Sequence, residues 1–219
     1  MKKFLLATLV VILCGVGWIQ YVDSNKGEEV TDVVELGDGL PNVVINDEYD
    51  TFEIYERDIK EIKEALQAQP EILLLKLQTV SHIEIRDFLK SEDSSDTSAN
   101  ALVQFSDATS IHLNCNNFTT INHNNGRLKE VLTHELGHVY DGFYFDENTW
   151  VWKHKISDSQ EWLDMFNNNR NGVTQYGATN PQEYFAEAVM LYFWHPEDLE
   201  DSAPEVYNWL NNEFREYEA

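Results

Sequence analysis

The chain opens on an almost unbroken apolar run, Phe4 to Val22, set behind Lys2 and Lys3. A polar, acidic stretch with three glycines follows, DSNKGEEVTDVVELGDGL over 23–40. Helical spacing begins in RDIKEIKEALQAQ (57–69), where Ile59, Ile62 and Leu66 share one stripe. PEILLLKLQ starts on Pro70, a residue suited to a first helical position. The period then drops to two. SHIEIRDF (81–88) alternates Ile83 and Ile85 with polar residues, and ALVQFSD (101–107) and TSIHLNC (109–115) read as two more strands. From Arg127 the pattern is helical again, over 127–140, 158–169, 181–194 and 204–217. Asn180 before Pro181 supplies a cap and a first-turn proline, and Pro204 opens the last helix in the same way. Strands early and helices late predict an α+β, two-lobed domain: a small N-terminal mixed sheet with helices, then a C-terminal helical lobe.

This pattern divides the chain into a signal peptide or anchor (1–20), a linker (21–44) and one domain (45–219). A positive start followed by an apolar core is the signature of an export leader. The expected location is therefore secreted and extracellular, with membrane contact only through an uncleaved leader. SEDSSDTSAN (91–100) is a low-complexity surface loop. Removing the leader removes Cys14 and leaves Cys115 alone, so the core and not a disulfide must hold the fold. Hydrophobic residues make up 42% of the chain, enough for such a core. Acidic residues outnumber basic ones 39 to 15, for a formal charge of −24. That field repels phosphate backbones and excludes nucleic acid as a partner.

The chemistry concentrates in VLTHELGHVYDG (131–142). His134 and His138 stand one helical turn apart, which lets two imidazoles reach one Zn²⁺. Glu135 shares a face with Leu128, Val131, Leu132 and Val139, and an idle carboxylate there costs several kcal/mol of desolvation. Beside a metal it becomes a general base for water. Gly137 in mid-helix permits a close neighbour, with the sheet as the candidate. The third ligand is not a histidine in H-E-x-x-H-x-x-G-x-x-H, because Asp141 and Tyr144 occupy the required positions. YGATNPQEYFAEAVMLYFW (176–194) offers Glu183 and Glu187, one turn apart on an otherwise apolar helix. Spacing leaves both open. Ligating histidines usually donate their other N–H to an acceptor, a role open to Glu187 or to Asp141.

HELGH followed by Y-x-x-x-N-x-x-E-Y-F-A-E from Tyr176 to Glu187 resembles the lethal-factor catalytic domain and Pro-Pro endopeptidase family of gluzincin-type zinc metalloproteases. The likeness extends over 45–219. It implies a zincin-like fold, one zinc per chain, and Glu183 as the third ligand. It also implies Tyr176 as the oxyanion helper and Glu187 as the acid that orients a ligand. The implied partner is an extended, proline-containing peptide segment of a protein, cut by a monomer. Such a peptide would add a strand to the sheet edge, for which 101–115 is the candidate, with Phe105 or His112 near the substrate. The alternative is a non-catalytic zincin-fold binding or toxin-component domain at the cell surface. The other histidines, His82, His112, His123, His154 and His195, show no ligand spacing and read as structural or surface residues.

Overall fold

The computed structural model describes residues 29–30, 32–47, 52–87, 100–104, 109–118, 127–146, 148 and 151–215. The leader, residues 91–99 of the serine-rich loop, Phe105 and His123 lie outside them.

Two short strands, β1 (Glu29–Val30) and β2 (Val33–Val34), precede β3 (Asn42–Asn46) and β4 (Ile54–Tyr55). β1 pairs antiparallel with β4, and β2 with β3. The stretch expected as a linker over 21–44 thus contributes residues 29–30 and 33–34 to paired strands. Its acidic, glycine-rich composition hides a few apolar anchors: Leu36 is buried, and Val30, Val34 and Leu40 pack against the core. α1 (Glu56–Gln67) follows, started by Asp58, whose carboxylate accepts the Tyr55 N–H at 2.8 Å. α2 (Glu71–Leu77) begins one residue later than its proline suggests, with Pro70 as the flanking cap residue.

β5 (Val80–Arg86), β6 (Ala101–Gln104) and β7 (Thr109–Asn114) complete a five-stranded sheet of order β2-β3-β5-β7-β6. The inner pairs β3–β5 and β5–β7 are parallel, and the outer strands run antiparallel to them. Register aligns Val43, Ile83, Ile111 and Val103 in one row, and Ile45, Ile85, Leu113 and Ala101 in the next. Successive residues of a strand point to opposite faces, so these rows make one apolar face. It joins Ile62, Leu66 and Leu73 of α1 and α2 in the core. The opposite face carries His82, Glu84, Arg86, Ser110, His112 and Asn114.

α3 (Arg127–Asp141) is the central helix. It packs on α1, α2 and β6 and, on its other side, against α5 (Pro181–Trp194). Between them lie a hairpin, β8 (Phe143–Asp146) with β9 (Val151–His154), and α4 (Gln160–Asn168). α6 (Pro196–Ser202) and α7 (Pro204–Phe214) close the chain. The helical lobe is held by rings: fully buried Trp162 lies 5.0 Å from Phe185, 5.3 Å from Trp209 and 5.7 Å from Tyr184 between centroids. The α+β, two-lobed architecture is the one the periodicity predicts. No helix of the described residues is long and apolar enough to cross a membrane.

Candidate active site

α3 is fixed before it presents any chemistry. Buried Thr133 Oγ1 stands 2.7 Å from both Gln69 Oε1 and Lys129 O, and it accepts the Trp194 indole N–H at 2.6 Å. Gln69 also donates to Ala65 O and Lys129 O. The end of α1, the body of α3 and the end of α5 are thereby joined by one buried polar cluster, each of whose unmade bonds would cost about 1–3 kcal/mol. Gly137 faces α5, not the sheet: a Cβ on it would lie 3.0 Å from Ala186 Cα. The missing side chain lets the two helices approach closely enough for their polar groups to meet.

Those groups are His134 and His138 on α3 and Glu183 and Glu187 on α5. His134 Nε2 lies 3.1 Å from Glu183 Oε2 and 3.2 Å from His138 Nε2, and His138 Nε2 lies 3.4 Å from Glu183 Oε2. Glu183 is set by the start of its helix. Asn180 caps α5 by accepting the Glu183 N–H at 2.8 Å, with Pro181 at the first helical position. A carboxylate in a first turn is also favoured by the helix dipole.

The other nitrogen of His134 is committed elsewhere. Its Nδ1–H donates to Glu187 Oε1 at 2.8 Å, and Thr174 Oγ1 donates to Glu187 Oε2 at 2.6 Å. This chain of bonds turns Nε2 toward Glu183 and His138. Thr174 was not anticipated from the sequence; a lone loop threonine carries no motif. Asp141 does not take part. It accepts from Ile156 N, Ser157 N and Ser157 Oγ at 2.6–2.9 Å and pairs with His154, which ties the end of α3 to the chain after β9. Of the two acids expected to orient a ligand, Glu187 is the one that hydrogen-bonds His134.

Glu135 is 4% exposed, and its Oε2 has no hydrogen-bond partner. Burial pushes its carboxyl above the usual range, against the pull of His134 and His138. Burial also disfavours a charge on His134, but the Glu183 and Glu187 carboxylates at its two nitrogens outweigh that and raise its pKa to about 10. Both acids are held below the usual carboxylate range despite their own desolvation, chiefly by His134, with His138 adding to the effect on Glu183. In the protein alone, a proton thus supplies the positive charge that this acid-rich pocket demands. Tyr176 is 49% exposed at the mouth, its ring centroid 5.8 Å from that of His134.

Among the described residues β6 is an outer strand of the five-stranded sheet, and it packs against α3. His112, expected near substrate, sits instead on the inner strand β7, on the sheet face opposite the core. Phe105 lies outside the described residues.

Residues 53–213 match the family model described as "Anthrax toxin lethal factor, N- and C-terminal domain". Lethal factor of Bacillus anthracis is 31% identical over 93 residues, covering 39% of this chain and 11% of that protein. The chain thus spans about a tenth of the length of that relative. With the matched residues taking in β5, β6 and β7 of the sheet, α3 and α5 alike, the chain belongs to the family of anthrax toxin lethal factor N- and C-terminal domains.

Proposed function

We propose that the chain is a secreted zinc metalloendopeptidase. The observation that carries this reading is the trio of 3.1, 3.2 and 3.4 Å separations among His134 Nε2, His138 Nε2 and Glu183 Oε2. Three corners of a tetrahedron with bonds of 2.0–2.1 Å lie about 3.3–3.4 Å apart, so the donor set suits one zinc ion. The tautomer of His134 fixed through Glu187 agrees with that, because it turns Nε2 toward Glu183 and His138.

His134, His138 and Glu183 would hold the ion. A bound zinc supplies Lewis acidity, polarising a carbonyl and bringing the acidity of water near neutral pH. Glu135 takes the proton of the attacking water and delivers it to the leaving amine. Its raised proton affinity makes Glu135 a better base for the first step, and its burial beside the site keeps that proton at hand for the second. Tyr176 donates its hydroxyl to the oxyanion as charge develops. Glu187 and Thr174 hold His134 in register throughout. The substrate is an extended, proline-containing peptide segment, laid along the outer edge of β6 as an added strand. A non-catalytic binding domain has no use for Glu135, a buried carboxylate whose one oxygen has no partner.

The test is Glu135→Gln, which keeps the shape of the side chain and removes the base. Cleavage of a susceptible peptide should fall by at least about a hundredfold, with one zinc still bound at His134, His138 and Glu183. Full cleavage by this variant would contradict the assignment.

A further inference from the structure

Among the described residues, a second group of three donors gathers away from α3. His82 and Glu84 project from β5, and His112 from the neighbouring β7, all on the polar face of the sheet. Glu84 and His112 are paired residues in the register, and His82 is two residues along the same face. Glu84 Oε2 lies 3.5 Å from His112 Nε2 and 3.8 Å from His82 Nε2. All three donor atoms fall within 4.8 Å of one another.

The surroundings aim these atoms. Ser81 Oγ holds His82 Nδ1 at 2.9 Å and itself donates to Thr109 O, so His82 Nδ1–H is the donor and Nε2 is left as a lone pair. Asn46 Nδ2 donates to Glu84 Oε1 at 2.7 Å, which leaves Oε2 for the two imidazoles. Ligating histidines and carboxylates are commonly oriented by such outer bonds. His112 is 3% exposed, yet its Nδ1 has no partner and only Nε2 meets a hydroxyl, Ser110 Oγ at 2.8 Å. Nε2 is the nitrogen that faces Glu84, so a cation bound there would take the place of the Ser110 hydroxyl on it.

We propose that His82, Glu84 and His112 form a second divalent-cation site, with zinc the ion that best suits two imidazoles and one carboxylate. The site is independent of the HELGH centre, lying on the opposite face of the sheet. Its bound ion pins β5 to β7. It is the weaker of the two sites. Its donor atoms must close by several tenths of an ångström to reach tetrahedral spacing, and Arg86 on the same face opposes a cation. His82 is a third exposed, so the fourth position opens toward solvent.

The test counts zinc on the full-length chain by native mass spectrometry after equilibration with excess zinc. Wild type should carry two ions. His82→Gln and Glu84→Gln should each carry one; His82 is partly exposed, so its replacement spares the core. His134→Ala with His138→Ala should also carry one, and adding His82→Gln to that pair should leave none. No ion on the double histidine variant, or two on His82→Gln, would overturn the proposal. The double histidine variant separates this inference from the protease reading. An ion retained there and lost with His82→Gln supports the second site whatever the HELGH centre does.

Discussion

At the scale of single residues, the geometry makes Glu187 a positioning group for His134. Glu187→Gln weakens the bond to Nδ1 and lets the ring rotate. Zinc affinity should fall about 10–100-fold, measured by competition with a chelator. The titrating groups predict a pH effect with a definite sign. His134 is raised from the ordinary 6.5 to about 10, so its contribution to the metal-free fold is complete below pH 6.5 and disappears toward pH 10. Glu183 and Glu187 are lowered, so theirs is present above the ordinary 4.5 and lost in acid. Glu135 is raised, which also removes stability as pH rises. The metal-free protein should therefore lose stability from pH 6.5 upward. Zinc must displace the His134 proton, and its binding strengthens over the same range. The difference in Tm between zinc-loaded and metal-free protein should widen from pH 6 to pH 8 in thermal melts. The residues carrying this chemistry were legible in the sequence because an i, i+4 pair needs no tertiary knowledge. The choice between Glu183 and Glu187 was not legible from spacing. It depends on which carboxylate faces Nε2 and which faces Nδ1, and Thr174 enters only through that geometry.

At the scale of elements, the decisive contact is between α3 and α5. Gly137→Ala sets a methyl 3.0 Å from the Ala186 backbone, which cannot move as a flexible side-chain tip could. The helices must separate by a few tenths of an ångström. Overpacking of this kind costs about 1–3 kcal/mol, readable as a lower urea midpoint, and it should weaken zinc binding too. An unchanged midpoint would show that the helix contact tolerates the methyl. The long helices were legible because their apolar stripes run for three or more turns. β1 and β2 were not, since two-residue strands carry no period and here lie in acidic, glycine-rich sequence. The β8–β9 hairpin and α6 are also short, and Pro196 and Pro204 stand so close that α6 has no room for an apolar stripe.

At the scale of the whole molecule, the two lobes meet along α3, with the sheet on one side and the ring-rich helical lobe on the other. The HELGH centre lies at that junction, on the helix that touches both β6 and α5. Fold class follows from the order of periods along the chain. The second histidine cluster does not, because His82 and His112 are brought together by strand register, which a single sequence does not display. The most direct test of the central claim is zinc-dependent cleavage of a proline-rich peptide library by the purified protein, followed by mass spectrometry. Cuts present with zinc, absent with chelator and restored when zinc is returned are the predicted result. No cuts by a folded chain with its HELGH centre loaded would contradict it.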